Sequence, residues 1–580
     1  MAEKSHAGFI SAIVVLVVAL GAFAAWRAGI LAPEGKPDDG GEAIDPKQLG
    51  GGGTAAEADD AVGITTVKEY TFTPSERLPD VKGTAQYQPM EDNTVRFALN
   101  VWAGWAPIIL ANEGFNAGKV WKNADGTEFK VELVLIDNPV AMRDAYAAGA
   151  VHIGWATLDM VPLFMAGCVD ASGTPRDRRV MPRIYQQVDW SNGGDGIIVR
   201  GNVKTVADLR GKRIVLAENS PSHYFLLNML VSGGVQPSEV KLDFTTDAFG
   251  AAAAFNAEPD IAAAVSWAPD IYNLESVKGN RLLVTTATAN KLIADVWFAR
   301  ADFANDHPAI IEGLVRGIFD AMQDLKDEDK KKQCAQLMAT GYNLPPDEAL
   351  GMLGDAHSTN WAENYQFFMN QNNPANFERV WRQAYYLYGK IRSITHRPVP
   401  FDQVMDFSVI EKLAKEEKYS SQKDEYTVRF APKPTPEVRA EAEILTNTVV
   451  IHFYPNSWDL RKMVATDHAN GGQEQLYDPN VDFVLEKIGE LAGKFGAARI
   501  IIEGHTDSSM KGKVPDGIVK ELAMNRANAV KEAAVAKYAL DANRINVAGL
   551  GWDRPADPDD PVNHAKNRRV EVKIYQAEAE

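Results

Sequence analysis

The chain has 580 residues, 46% of them apolar and 24% charged, and a formal net charge of −18. That length exceeds one core and predicts about three or four domain-sized units. The acidity argues against a nucleic-acid or anionic-lipid binder.

The first predicted element spans residues 8–30. Gly8 to Trp26 carries no charge, and about 20 apolar residues at 1.5 Å rise suffice to cross a bilayer. Lys4 and Arg27 flank it, so the charge bias that sets orientation is weak. Ala22-Phe23-Ala24 also reads as a signal-peptide cleavage site. The apolar run continues past that site, which favours a transmembrane anchor, and either alternative places the remainder outside the cytoplasm. Residues 31–65 are rich in Gly, Pro, Asp, Glu and Ala, with four glycines at 50–53, and are expected to be a flexible linker reaching roughly 30 Å.

From residue 66 to 395, strand-like and helix-like stretches alternate. Val95 to Trp102, Val131 to Asp137, Val151 to Trp155, Ile197 to Arg200, Arg213 to Leu216, Val240 to Phe244 and Ile261 to Trp267 read as strands. Pro139 to Ala148, His223 to Val231, Ala248 to Asn256, His307 to Met338 and Asn376 to Ile391 read as helices. The alternation predicts an α/β fold with parallel, doubly wound sheets, and the length divides it into two lobes. Cys168 and Cys334 are the only cysteines and lie in no metal-ligand pattern. A disulfide between them and two buried thiols are both compatible with the sequence.

Residues 396–443 are polar and proline-punctuated, as in Ala431-Pro432-Lys433-Pro434-Thr435-Pro436, and are expected to be a second linker. A last domain is expected over 444–577. Val449 to Tyr454 alternates like a strand. Val481, Val484, Leu485, Ile488, Leu491, Ala492 and Phe495 follow helical spacing. Arg499 to Glu503, Ile545 to Ala548 and Val570 to Ile574 read as strands and Leu522 to Tyr538 as a helix, giving a small mixed sheet backed by helices.

In that last domain Asn456-Ser457, Gly504-His505-Thr506-Asp507-Ser508, Arg526-Ala527, Gly549-Leu550-Gly551 and Asn567-Arg568-Arg569-Val570 occur in order. The domain resembles the OmpA-like peptidoglycan-binding family, an α/β sandwich. The resemblance implies recognition of the zwitterionic diaminopimelate side chain of the stem peptide, with Asp507 accepting from its ammonium and Arg526 holding its carboxylate through parallel N–H bonds. Thr506 and Asn567 are implied supports. Met510 to Gly517 departs from the family as an insertion-like stretch, and Val519 and Ala523 stand where the family has an Asn and a Ser. On spacing alone, Asp507 and Arg526 could equally form an internal ion pair. His505 has no second ligand at a metal-binding spacing, so no metal site is expected.

The central region carries Trp102-Ala103-Gly104-Trp105-Ala106-Pro107, Gly149 to Thr157, Val206 to Ile214, Ser220-Pro221-Ser222-His223-Tyr224 and Ala262 to Pro269. It resembles periplasmic solute-binding proteins of the nitrate/sulfonate/taurine and thiamine-precursor type, whose two lobes close over a small molecule. Ligands of such sheets sit at the carboxyl ends of the strands. The candidate ligand-binding residues there are Trp105, Asn138, Thr157, Asp159, Asp195, Ser220, Ser222, His223, Trp267 and Asp270. Ser220 and Ser222 precede a helix and could cap it or help its free N–H groups hold an anion. The loops carry Asp159, Asp195 and Asp270 beside Trp105, Trp155 and Trp267, which suits a neutral or cationic organic ligand.

No G-x-S-x-G, H-E-x-x-H, P-loop or dinucleotide fingerprint is present, so neither enzymatic activity nor a cofactor is expected. The apolar segment has no carboxylate, which argues against an ion-conducting stator. The expected partners are peptidoglycan, a small organic solute, and a transporter permease or other inner-membrane protein. The competing reading is an envelope scaffold whose two-lobed domain contacts proteins.

Overall fold

The computed structural model describes residues 68–123, 125–451, 453–465, 474–556, 558–561 and 564–577. The segment at 8–30, the linker at 31–65 and His452 lie outside them. Among the described residues, no helix is long and apolar enough to cross a membrane.

The chain builds lobe 1 from β1 (Thr94–Leu99), β2 (Trp121–Lys122), β3 (Glu128–Leu135), β4 (Ile153–Thr157) and β5 (Pro182–Ser191). It then crosses to lobe 2 for β6 (Asp195–Arg200), β7 (Arg213–Ala217), β8 (Lys241–Thr245), β9 (Ala263–Trp267) and β10 (Asn280–Thr285). It returns for β11 (Ala294–Arg300) and β12 (Ala356–Ser358). The lobe sheets run in the orders β12-β5-β11-β4-β1-β3-β2 and β10-β6-β9-β7-β8.

Neither sheet is wholly parallel, contrary to the expectation from the alternation. β1 pairs in parallel with β3 and β4, and β7 with β8 and β9. β11 runs antiparallel to β4 and β5, and β6 antiparallel to β9 and β10. The reason is topological: β6 and β11, the strands that enter a lobe after each crossing, run against the βαβ units, whereas β5 and β10, which leave, run with them. Segments 192–194 and 286–293 are therefore the two hinge connections.

The long helical stretch expected from His307 is two helices, Pro308–Asp324 and Glu328–Tyr342. Asp327 separates them, its side chain accepting from the backbone N–H groups of Asp329 and Lys330. Helices α1 (Pro221–Ser232, lobe 2) and α2 (Phe377–Lys390, lobe 1) flank the lobe junction. Cys168 and Cys334 are both buried and unbonded.

Residues 396–443 differ from the expected linker. Val404, Ile410, Leu413 and Tyr419 are buried, and Glu416 forms a two-pronged ion pair with Arg316. Tyr426 stacks on His357 at 4.0 Å and donates its hydroxyl to Asn192. Few apolar residues, widely spaced among charges, suffice because these four join the same buried apolar cluster as the lobe 1 core.

The C-terminal domain has a sheet ordered β13-β18-β16-β17, from β13 (Glu443–Val449), β16 (Arg499–His505), β17 (Ile545–Gly551) and β18 (Val570–Tyr575), with a hairpin of β14 (Met463–Ala465) and β15 (Glu474–Leu476). The first strand ends where the alternating stretch begins: Ile451 and Phe453 are buried, but only residues up to Val449 pair with β18. Helices α3 (Val481–Lys494) and α4 (Asp516–Tyr538) back the sheet. This domain touches both lobes and a hinge. Arg379 of α2 pairs with Glu486 of α3 at 2.5 Å. Asn447 donates to the Ser232 carbonyl of lobe 2 at 2.9 Å, and the Lys291 amide of the hinge donates to the Lys494 carbonyl at 3.3 Å.

Candidate functional site

The strand register of lobe 1 lines up polar residues at the lobe junction. Thr157 of β4 stands opposite Asp295 of β11, Asp295 opposite Asp189 of β5, and Asp189 opposite Ser358 of β12. Directly paired residues project to the same face of a sheet, so these four form one row. Two further aspartates join it. Asp195 opens β6, four residues beyond Ser191, whose hydroxyl it accepts at 2.7 Å. Asp159 follows Thr157 and accepts the Tyr388 hydroxyl at 2.9 Å.

These carboxyls are withdrawn from water: Asp189 is 0% exposed, Asp159 1%, Asp195 4% and Asp295 5%. Burial pushes Asp159 up to about 6, Asp195 up to about 7 and Asp189 up to about 8. Asp295 lies well above the ordinary carboxylate range, through burial and then the neighbouring Asp189. No Lys or Arg charge is among the causes acting on any of the four.

The surrounding wall is aromatic and tight. Trp102 donates its indole N–H to Asp189 at 3.3 Å. A Cβ on Gly104 would stand 1.5 Å from Asp189 Oδ2, so only glycine admits the carboxyl there. Trp267 pairs with Asp195 across β9 and β6. From lobe 2, Tyr272 donates to Asp355 at 2.6 Å, bridging the lobes. Tyr388 of lobe 1 also comes within 3.4 Å of the Ser220 carbonyl at the start of α1.

The other expected ligand-binding residues separate into four groups. Trp105 is a core residue: fully buried, it donates to Asn100 and packs edge-on to Phe97. Asn138 is exposed and caps the helix Pro139–Ala147 by accepting from the Ala141 amide. Ser220, Ser222 and His223 are buried at the start of α1. Ser220 is no side-chain cap, since its hydroxyl turns back to the Ala217 carbonyl. Ser222 Oγ and His223 Nε2 make no hydrogen bond, and burial holds His223 neutral, down at about 3. Asp270 is half-buried at the first turn of a short lobe 2 helix, and burial and then Asp247 raise its pKa. Sequence reasoning missed Asp189, Asp295, Asp355 and Tyr388.

In the C-terminal domain, β16 delivers Thr506 and Asp507 beyond its carboxyl end. Gly504 permits this approach, since a Cβ there would lie 2.0 Å from the Ala523 carbonyl oxygen of α4. Asp507 is buried, and the Ser509 amide donates to its Oδ1 at 2.7 Å. Arg568 Nε at 3.2 Å is its ion-pair partner, and His564 Nδ1 lies 3.3 Å from it. The alternative of an Asp507–Arg526 pair is therefore not what forms. Arg526 donates to the Ser457 carbonyl at 2.9 Å and lies over Phe453. Thr506 and Asn567 line a cavity of about 280 Å³ with Ser508, Lys511, Trp552 and Asp553. Met510 and Val514 of the inserted stretch pack with Val519 and Leu522 of α4, which places Lys511 at that cavity.

His505 lies near Glu503 and Glu571, and their potential ligand atoms fall within 4.8 Å of one another. Arg439 already pairs with Glu503 and Arg569 with Glu571. Burial raises Glu571, but His505 and Arg569 outweigh it and hold the group down at about 2. This is an internal ionic network.

Two protein families account for separate parts of the chain: NMT1/THI5 like over residues 184–331 and the OmpA family over residues 470–569. A taurine-binding periplasmic protein of Escherichia coli is 28% identical over 190 residues, 32% of this chain and 55% of that protein. Outer membrane protein Omp38 of Acinetobacter baumannii is 34% identical over 145 residues, 25% of this chain and 36% of that protein. The chain thus spans about half the length of the first relative and about a third of the second. The crystal structure of the periplasmic aliphatic sulphonate binding protein SsuA from Escherichia coli aligns with a TM-score of 0.41 at 20% identity, covering 55% of this chain and 97% of that one. The chain accordingly carries one segment that matches the NMT1/THI5-like model and a C-terminal segment that matches the OmpA model.

Proposed function

We propose that this chain is an envelope-tethered solute-binding protein. It takes a small organic solute between its two lobes and holds peptidoglycan non-covalently through the C-terminal domain. Residues 8–30 anchor it in the inner membrane, 31–65 act as a tether, and the remainder works in the periplasm, where it hands the solute to a permease. It binds without turning its ligand over. The observation that carries this reading is the row of buried polar side chains at the lobe junction, which packing of an apolar core would not require. The NMT1/THI5-like and OmpA segments agree with it.

In the wall-binding half, the stem-peptide zwitterion binds beside Asp507 and Arg526, with Thr506 and Asn567 at the rim. The ammonium competes with Arg568 for Asp507. Native mass spectrometry of the intact chain in detergent, set against its denatured mass, tests the solute half. Co-sedimentation with purified peptidoglycan sacculi tests the other half. A retained small mass and sedimentation with sacculi support the proposal; loss of both overturns it.

The scaffold alternative is favoured by one feature, the Tyr272–Asp355 bridge that fixes the lobes against each other. A chain that sediments with sacculi but retains and binds no small molecule is that scaffold.

A further inference from the structure

Which solute the lobes take can be narrowed, on the premise that they take one. Asp159, Asp189, Asp195 and Asp295 form a buried carboxyl group cluster fed by three strands and the first hinge. Two further observations point to something that belongs among them. First, a buried acceptor lacks a permanent donor: Asp189 Oδ1 makes no hydrogen bond to an N–H or hydroxyl group, and the side chain facing it is the Asp295 carboxyl, which can donate only while it is protonated. Thr157 Oγ1, in the row itself, has no partner at full hydrogen-bond geometry, and its hydroxyl acts only on the Asp159 carboxyl beside it. Unpaired buried acceptors are costly, and a ligand rich in N–H groups would satisfy them. Second, the carboxyls do not converge. Among the described residues, the group at Glu503, His505 and Glu571 is where three ligand atoms come within 4.8 Å, and the aspartates form no such group. A single metal ion needs ligand oxygens gathered around one point, whereas these are spread along a row. Trp102 and Trp267 border the row, and indole faces attract organic cations.

We infer that the solute is an organic cation with at least two N–H-bearing centres, a diamine or an alkylguanidine, held between the aspartates with its carbon chain against Trp102 and Trp267. Asp189 and Asp295 take one end and Asp159 and Asp195 the other. This distinguishes the site from one for a sulfonate or nitrate, which would call for fixed N–H donors or cationic side chains where this row carries carboxyls.

The test is isothermal titration calorimetry on the intact chain in detergent, after unfolding and refolding to remove any retained solute. The probes are 1,4-diaminobutane, butylguanidine, taurine, methanesulfonate and calcium chloride, at pH 6 and pH 8. The expected result is diamine or guanidine binding that strengthens at least tenfold from pH 6 to pH 8 and releases protons at pH 6, read from buffers of different ionisation enthalpy. Asp189→Asn should weaken that binding at least tenfold without lowering the melting temperature, and Asp195→Asn should do the same. Binding of methanesulfonate in preference to the amines overturns the inference while leaving a solute-binding protein. Calcium binding abolished by Asp189→Asn overturns it in favour of a metal site. No binding of any probe, with no retained mass in the native protein, overturns both the inference and the solute-binding reading.

Discussion

Asp189 and Asp295 stand directly opposite each other on antiparallel neighbours β5 and β11, both buried. Two carboxyls in that position cannot both ionise cheaply, so the folded chain keeps protons that the unfolded chain would release.

The pH dependence follows from that proton retention. A raised folded-state pKa contributes stability at low pH that is lost as pH rises through the folded value. Asp195 at about 7 and Asp189 at about 8 set the window. His223, held down at about 3, acts in the opposite sense, but only below its ordinary value near 6.5. Between pH 6.5 and 8 the ligand-free protein should therefore lose on the order of 1–3 kcal/mol. Urea titrations across that range check the slope, which Asp189→Asn should flatten.

Gly104→Ala should drive a methyl group into the Asp189 carboxyl. A loss of about 1–3 kcal/mol is expected from such overpacking. Combining it with Asp189→Ala should recover most of the loss, and a double-mutant cycle by thermal melts measures that coupling. Additive losses would mean the two residues do not meet.

Asp507→Asn keeps an oxygen for the Ser509 amide but removes the charge facing His564 and Arg568. Sedimentation with sacculi should fall at least tenfold while circular dichroism stays unchanged. Undiminished sedimentation would assign Asp507 a purely internal role with Arg568.

Arg379→Ala removes the ion pair from α2 to Glu486 of α3 and the guanidinium over Tyr538. The C-terminal domain should then detach more readily. Limited trypsin digestion should cut within 420–440 several-fold faster than in the parent, and an unchanged digestion pattern would show that Arg379 does not hold the junction.

The sequence was legible where hydrophobic alternation and pairing coincide. β1, β3, β4, β6, β7, β8 and β9 lie within a few residues of expectation, as do α1 and α2. β5 was not, because Gln186, Gln187, Asp189 and Ser191 are polar yet buried, and polarity reads as loop when the partner strands are unknown. β11 escaped for a related reason: its pairing with β5 is non-local, and its apolar run Val296-Trp297-Phe298 has no short-range turn signal. The candidate site suffered accordingly. Asp159 and Asp195 were visible beside strand ends, whereas Asp189 and Asp295 lie inside strands that only the register brings together. In the C-terminal domain the ordered motifs located Asp507 and Arg526, but Arg568 as the ion-pair partner of Asp507 depends on the fold of 564–569.

The contacts of Asn447 with Ser232, Lys494 with Lys291 and Glu486 with Arg379 place one body across both arms of a hinge and its pivot. Any change of angle between the arms must shear at least one of these contacts. Opening the lobes would therefore carry a cost set by the C-terminal domain, in addition to whatever holds the lobes to each other.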